Sequence, residues 1–175
     1  MHIPFGFKID VAEQIKNGVT IPVMVGYQIG FPGKAEWLIA DGKADMVGYV
    51  RALISDPDMV KKTREGRVAD IRYCVKDNKG CIGRINQSKA LGCIQNPRVG
   101  YEPLTGDPSW PPIQRKKKII VVGAGPSGME VARVAHERGH DVTVYEKADT
   151  VGGQVKLIGK RPGRGTMQGV IRYLK

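Results

Sequence analysis

Residues 118–146 read KIIVVGAGPSGMEVARVAHERGHDVTVYE, and this stretch decides the fold. The apolar run at 119–122 has no polar alternation, which is typical of a strand covered on both faces. The run leads directly into G-x-G-x-x-G, with Gly123, Gly125 and Gly128 at the glycine positions. In this motif the first glycine permits a tight turn, and the second lets the backbone approach a pyrophosphate. The third lets the following helix pack closely on the strand.

A helix predicted at 126–138 and a second strand at 141–145 complete a β-α-β unit, and Gly139 ends the helix. The start of the helix presents its N–H groups and its positive dipole end to phosphates. Glu146 lies 18 residues beyond Gly128, where a carboxylate can accept the ribose 2′-OH and would repel a 2′-phosphate. The predicted dinucleotide-binding residues are therefore Gly123, Ala124, Gly125, Pro126, Ser127, Gly128 and Glu146.

The glycine motif by itself leaves FAD, NAD and ADP open. Residues 144–147 are followed by the run Gly152-Gly153-Gln154. This order resembles the start of flavoproteins with two dinucleotide-binding domains, in which these residues line the FAD adenosine and pyrophosphate. That resemblance favours FAD and adds Lys147, Gly153 and Gln154 to the predicted site. The alternative interpretation of Gly152-Gly153 is a flexible turn.

The chain has 175 residues, enough for one domain or two small ones, and a net charge of +11. The densest basic run, at 115–118, has no interleaved aromatic residues, so we predict a solvated face at a domain boundary and no nucleic-acid partner. The positive field favours phosphate-bearing cofactors. No apolar run is long enough for a membrane span, and the start lacks signal-peptide features. Three cysteines then indicate a reducing, cytoplasmic location.

Residues 7–70 alternate between helical and strand patterns. Helices are predicted at 7–17, 34–40 and 51–65, and strands at 21–25 and 45–47. The third helix contains Asp56-Pro57, where we expect it to break. This alternation with short loops implies a parallel sheet covered by helices.

Residues 71–112 lack sustained periodicity and hold all three cysteines. A loop segment of this length needs an organising centre, and a metal cluster is one. Cys74, Cys81 and Cys93 are separated by six and eleven residues, and Asp77 stands where a cysteine would complete C-x₂-C-x₃-C-x₁₁-C. Iron–sulfur clusters normally take four cysteines, although a carboxylate can ligate iron as a harder ligand. The alternatives are a three-iron cluster, or no cluster and three structural thiols. Zinc is disfavoured because no Cys-x-x-Cys pair or histidine lies here.

Taken together, these parts resemble the iron–sulfur branch of the NADH:flavin oxidoreductase (old yellow enzyme-like) family. That branch includes 2,4-dienoyl-CoA reductase, trimethylamine dehydrogenase and 2-enoate reductase. The matching runs are 21–23, 40–48, 51–54, 56–57, 81–84, 93–97 and 121–129. The resemblance implies an α/β chain made of the last two β/α units of an FMN-binding TIM barrel (1–70), an irregular iron–sulfur segment with its linker (71–112), and the first βαβ unit of a Rossmann-like FAD-binding domain (113–175). The sequence departs from the family at Tyr27, Val50 and Asp77.

The resemblance also implies two further binding sites. The FMN phosphate would be held at the barrel end by Gly26, Tyr27, Gly48, Val50 and Arg51. The alternative interpretation is that the glycines only end strands and Arg51 caps a surface helix. A [4Fe–4S] or [3Fe–4S] cluster would be held by Cys74, Asp77, Cys81 and Cys93. No catalytic residue is assigned, because the family places those on earlier barrel strands.

The implied function is that of an oxidoreductase that takes electrons from NAD(P)H at FAD and passes them through the cluster to FMN, which reduces an activated C=C bond. One alternative is outward electron flow from an amine, and another is an inactive remnant that only binds a dinucleotide. Because a barrel needs eight strands and this chain has two, we expect a fragment that is inactive alone. Its expected partners are a small-molecule substrate and either the missing barrel portion or a second copy.

Overall fold

The structure is a computed structural model that describes residues 6–105 and 111–175. The chain divides into two compact units, Met1–Cys74 and Val75–Lys175. Both units combine helices with a two-stranded parallel sheet, so the expected α/β class is confirmed at this level.

The first unit alternates helices and short strands as predicted. Its elements are α1 (Ile9–Gly18), β1 (Met24–Val25), α2 (Pro32–Ala40), β2 (Met46–Val47), α3 (Arg51–Ser55), α4 (Met59–Arg64) and a 3-10 turn at Val68–Asp70. β1 and β2 pair in parallel, with Met24 opposite Met46. The core lies between this sheet and the first two helices, and its buried residues are Ile9, Ala12, Val25, Ile29, Ala35, Leu38 and Ala44.

The first strand is shorter than the sequence pattern suggested. The prediction of a strand at 21–25 is wrong for its first three residues, since β1 holds only Met24 and Val25. The physical reason lies in Asp45, whose carboxylate Oδ2 accepts the Val23 N–H at 2.8 Å. A side chain therefore takes a backbone donor that a longer ladder would use, and Ile21 is left 70% exposed.

The predicted break in the third helix is present, and it is built around a buried carboxylate. α3 ends at Ser55 and α4 begins at Met59. Between them, Asp56 is 4% exposed; its Oδ2 accepts hydrogen bonds from Lys62 Nζ at 2.7 Å and from the Arg72 N–H at 2.8 Å. Ser55 Oγ donates to the Arg72 carbonyl at 2.7 Å. These bonds tie the break to the backbone two residues before Cys74.

Replacing Asp56 with alanine is expected to lower the free energy of unfolding of the first unit by about 3–5 kcal/mol, because it removes the buried carboxylate that pairs with Lys62 and accepts the Arg72 N–H. Urea denaturation followed by circular dichroism measures the change. Asp58→Ala is the matched control: that side chain is exposed, and we expect a change within about 0.5 kcal/mol. Equal losses for the two variants would contradict a structural role for the Asp56 carboxylate.

The second unit contains the predicted strand–helix–strand order. Its elements are α5 (Ile82–Ile85), α6 (Glu102–Thr105), β3 (Lys118–Val122), α7 (Pro126–Glu137), β4 (Asp141–Tyr145), α8 (Val155–Gly159), a 3-10 turn at Gly165–Met167 and α9 (Gln168–Leu174). β3 and β4 pair in parallel, from Lys118 opposite Asp141 to Val122 opposite Tyr145. The sequence did not indicate α5, α6 and α8, because helices of four or five residues are too short to show a period.

The expectation that β3 is covered on both faces is wrong for the described residues. Val121 is 8% exposed, whereas Ile120 and Val122 are 66% and 86% exposed. α7 packs over one face only, the face that contains Val121. An unbroken apolar run is typical of two covered faces, so Ile120 and Val122 form an apolar face that the described residues of this chain leave uncovered.

The end of the chain packs back onto the start of the second unit. Val75, Val155, Met167 and Val170 form one buried apolar cluster, with Ile171 and Leu174 against it. Thr166 Oγ1 donates a hydrogen bond to the Val75 carbonyl at 2.7 Å. Within the two described ranges, no helix has both the length and the apolar character that a membrane span requires.

Candidate functional site

The turn between β3 and α7 has the conformation that its glycines predict. Gly123 has a φ of +98°, a left-handed value that other residues adopt only under strain, and its N–H donates to the Tyr145 carbonyl at 2.7 Å. A Cβ at Gly128 would lie 2.0 Å from the Gly123 carbonyl oxygen. The third glycine is therefore required by the contact between helix and turn.

The second glycine has a different environment. Gly125 is the N-cap residue of α7, and a Cβ placed on it would meet no heavy atom within 4 Å. No side chain caps this end of the helix, and Pro126 has no N–H. The N–H groups of Ser127 and Gly128 lie in the first turn and have no partner four residues back. Open space next to such donors is what a phosphate group requires.

The Gly152-Gly153 pair is packed against this turn. The Gly152 N–H donates to the Ala124 carbonyl at 2.7 Å, and a Cβ on Gly153 would come within 3.2 Å of the Gly125 Cα. Gly152 has a φ of +109°, and a Cβ there would lie 2.4 Å from Ile171 Cδ1. The pair is therefore held in place by α9 and by the glycine motif, which argues against a flexible turn. Gln154 follows it as the N-cap residue of α8.

Glu146 contacts the same turn through its carboxylate. Oε2 accepts the Ala124 N–H at 2.7 Å, and Oε1 accepts the Ala148 N–H at 3.0 Å. The hydrogen bond from Ala148, followed by that from Ala124, lowers the pKa of Glu146 below its ordinary value of 4.5. A carboxylate has about four lone-pair positions, so it can still accept a ribose hydroxyl. Lys147, the next residue, is exposed.

These bonds predict how the stability of the turn depends on pH. Because the folded-state pKa of Glu146 is below the unfolded one, its contribution is complete above pH 4.5 and is lost as the pH falls through the folded pKa. Glu146→Gln should therefore lower the melting temperature at about pH 7 more than at about pH 3. Thermal unfolding at several pH values checks this. A difference between the two proteins that stays the same at every pH would contradict the role of the ionised carboxylate.

In the first unit, the structure brings two of the predicted FMN residues together. Gly26 and Gly48 follow the two parallel strands, and the Gly48 N–H donates to the Val25 carbonyl at 2.8 Å. A Cβ on Gly26 would lie 3.8 Å from the Gly48 carbonyl oxygen. Tyr27 has a φ of +92°, and Lys8 Nζ lies 5.3 Å from the centre of its ring. The carboxyl ends of the two strands thus form one edge.

The last two of the five predicted FMN residues lie at the start of α3. Val50 is its N-cap residue and is 72% exposed, and Arg51 is the first helical residue. One residue, Tyr49, separates Gly48 from Val50, so α3 begins close to the edge that Gly26 and Gly48 form.

Two of the three cysteines lie in one loop region of the second unit. Cys81 and Cys93 are half-buried free thiols, and the loops that carry them are joined by a hydrogen bond from the Gly92 N–H to the Gly80 carbonyl at 2.8 Å. The Cys93 sulfur accepts the Gln95 N–H at 3.4 Å. Hydrogen bonds to sulfur of this kind tune iron–sulfur centres. A cavity of 440 Å³ borders Cys93.

The Asp77 side chain is largely buried, and its two carboxylate oxygens are in different environments. Its side chain is 7% exposed, and Oδ1 accepts a hydrogen bond from Arg164 Nη1 at 3.0 Å. Oδ2 is buried without a hydrogen-bond partner among the described residues. Arg164 is not predicted from the sequence as a partner of Asp77, since no local signal links residues 87 positions apart.

Among the described residues, the structure does not group the predicted cluster ligands around a single metal ion. Across residues 6–105 and 111–175, no three His, Cys, Asp or Glu side chains are grouped to hold one metal ion. A [4Fe–4S] cluster does not need such a group, because each protein ligand binds a different iron. The buried oxygen of Asp77 and the half-buried thiols of Cys81 and Cys93 are donors of the types predicted for the cluster, and their role as one ligand set stays a prediction from the sequence. Cys74 is the last residue of the first unit, and its role stays a prediction from the sequence.

The chain is similar to known redox proteins over nearly its whole length. Residues 121–169 match a family described as an NAD(P)-binding Rossmann-like domain. The chain is 42% identical to bilirubin reductase of Mediterraneibacter gnavus over 98% of its own length, and 44% identical to NADH oxidase of Thermoanaerobacter brockii over 91%. It covers 26% and 24% of those proteins, so it spans about a quarter of their length.

A solved structure of 2-naphthoyl-CoA reductase in complex with 2-naphthoyl-CoA superposes on the chain with a TM-score of 0.88 at 42% identity. The match covers 97% of this chain and 26% of the other.

Proposed function

Because this chain belongs to the oxidoreductase family of old yellow enzyme, trimethylamine dehydrogenase and dienoyl-CoA reductase, we propose that it is the FAD-binding part of such an enzyme. In this proposal, electrons pass from FAD to an iron–sulfur cluster and then to FMN. The electrons come from NAD(P)H and reduce an activated C=C bond. The relatives are about four times as long as this chain, so the substrate and the activity are part of the proposal.

The single observation that carries the proposal is the geometry of the glycine turn. Gly128 closes the turn against Gly123, while the space next to Gly125 stays open. The N–H groups at the start of α7 supply donors for a pyrophosphate, and the helix dipole adds a positive end. Packing of Gly153 on Gly125 closes one side of this cradle without placing a side chain in it.

Glu146 and Lys147 would complete the adenosine half of the site. The carboxylate is held at the turn by the N–H groups of Ala124 and Ala148, so its position is set before a ligand arrives. An ionised carboxylate accepts a ribose hydroxyl and repels a 2′-phosphate, which favours FAD over a phosphorylated dinucleotide. Gln154, at the start of α8, is the remaining residue proposed to contact FAD.

The other two proposed groups follow the family resemblance. FMN would be held at the edge formed by Gly26 and Gly48, with Tyr27, Val50 and Arg51 around its phosphate. The cluster would be held by Cys74, Asp77, Cys81 and Cys93. When bound, FAD exchanges electron pairs with a nicotinamide, whereas a cluster exchanges single electrons. The residues of this chain bind and orient these groups, and none is proposed to donate a proton to substrate.

A binding experiment tests the core of the proposal. The chain should quench the fluorescence of FAD in a saturable titration, and ADP should compete, because both share the adenosine and pyrophosphate contacts. NADP should compete much less well than NAD, because Glu146 opposes the 2′-phosphate. A chain that is folded by circular dichroism and does not bind FAD would refute the assignment.

The relatives also support a second candidate function. The chain is 34% identical to dimethylamine dehydrogenase of Hyphomicrobium sp. (strain x), so electrons in the parent enzyme could flow from an amine to an acceptor protein. In that case the site would hold ADP in place of FAD. Strong binding of ADP together with weak binding of FAD would favour the amine dehydrogenase function. It would equally favour an inactive remnant that only binds a nucleotide.

A further inference from the structure

The two carboxylate oxygens of Asp77 are in different environments. Oδ1 is paired with Arg164 Nη1, whereas Oδ2 is buried and has no hydrogen-bond partner in the described part of the chain. The side chain is only 7% exposed, so bulk water does not solvate this oxygen. A buried carboxylate oxygen without a partner is costly. A cation bound to Oδ2 would therefore offset the cost of burying this oxygen.

The backbone around Asp77 indicates that its orientation is imposed by the surrounding structure. Lys76 and Asn78 have φ values of +58° and +66°, in the left-handed region that costs a lysine roughly 1–2 kcal/mol. Just before them, Val75 is buried in the apolar cluster with Met167, and its carbonyl accepts the Thr166 hydroxyl. Packing against the end of the chain therefore outweighs local preference.

Arg164 is held by the same end of the chain. Its carbonyl accepts the Met167 N–H at 2.9 Å, and Met167 belongs to the apolar cluster that contains Val75. The guanidinium is 44% exposed and reaches only one of the two Asp77 oxygens. The apolar cluster that contains Val75 and Met167 thus positions both the Asp77 carboxylate and the Arg164 guanidinium, and Oδ2 of Asp77 remains without a hydrogen-bond partner among the described residues.

We propose that Arg164 is a positioning residue that orients Asp77 so that Oδ2 can bind the iron that lacks a cysteine. The inference rests on the proposed iron–sulfur cluster and assigns a role to a residue far from the cysteines in sequence. Carboxylates that ligate metals are normally hydrogen-bonded through their other oxygen, and that bond fixes their orientation. Arginine suits the role because its guanidinium stays charged and carries five N–H donors in a fixed planar geometry.

The experiment uses the full chain, reconstituted anaerobically with iron and sulfide and then exposed briefly to air. EPR separates three-iron from four-iron clusters, and iron content is measured in parallel. Arg164→Met should weaken retention of the fourth iron by about tenfold or more, the usual effect of removing such a supporting bond. Arg164→Lys should restore much of it, because a cationic donor is kept. Arg161→Met, an exposed arginine in the same turn, should behave like the unaltered chain.

Asp77→Cys makes the test specific. A thiolate ligand does not need the guanidinium, so Arg164→Met should have no effect on the four-iron fraction in the Asp77→Cys background. An equal loss of the four-iron fraction in both backgrounds would show that Arg164 only supports the fold. That result would overturn this inference and leave the proposed function standing. Iron uptake by Asp77→Cys but not by the unaltered chain would overturn Asp77 as a ligand. If neither folded chain takes up iron, the cluster itself and the inference both fail, while FAD binding is unaffected.

Discussion

Replacing Gly125 with valine is expected to abolish FAD binding and leave the chain folded. A Cβ at this position would meet no heavy atom of the protein within 4 Å, so the fold has room for the side chain. The same room is where the pyrophosphate would approach the start of α7. Losing two charge-assisted hydrogen bonds at about 1.5–3 kcal/mol each would weaken binding at least about 100-fold.

The measurement pairs FAD titration with thermal unfolding of the same variant. The melting temperature should stay within a few degrees of the unaltered chain, because surface changes are usually within about 0.5 kcal/mol. Gly33→Val is a matched control: it places the same side chain in similarly open space, but in the first unit. It should leave FAD affinity unchanged. If Gly125→Val also binds FAD normally, the pyrophosphate does not lie at this turn.

Replacing Gly128 with alanine is expected to have the opposite pattern, a large loss of stability from a single methyl group. The Cβ would lie 2.0 Å from the Gly123 carbonyl oxygen and 3.2 Å from Val121 Cγ1. The oxygen is backbone and cannot rotate away, so α7 must separate from the end of β3. We expect a cost of about 3 kcal/mol or more, which lowers the melting temperature of the second unit by at least about 10 °C.

Thermal unfolding of Gly128→Ala and Gly125→Ala tests this prediction, since the two variants add the same methyl group three residues apart. Only Gly128→Ala should unfold early, and its FAD affinity should fall because the turn is lost. Equal melting temperatures would contradict the close contact of α7 with the turn. Together with Gly125→Val, the comparison separates the glycine that serves the fold from the one proposed to serve the ligand.

Local patterns were enough to predict the βαβ unit and the break at Asp56-Pro57. Both depend on residues close in sequence: a glycine turn between an apolar run and a helix, and a proline that cannot continue a helix. The same patterns overextended the first strand, because the competing acceptor for the Val23 N–H is the Asp45 side chain, 22 residues away. They also could not show that Ile120 and Val122 lie on an uncovered face.

The sequence by itself determined which residues can form the turn, since glycine adopts the φ of Gly123 without strain and a Cβ at Gly128 would collide with the backbone. It also determined that a carboxylate follows the second strand at Glu146. Only the tertiary structure decided which groups those residues meet. The pairing of Asp77 with Arg164, the oxygen that this pairing leaves free, and the packing of α9 beneath Gly152 join positions that no local pattern connects. Such contacts depend on how distant segments pack, and packing selects partners by shape and burial that a one-dimensional pattern does not record.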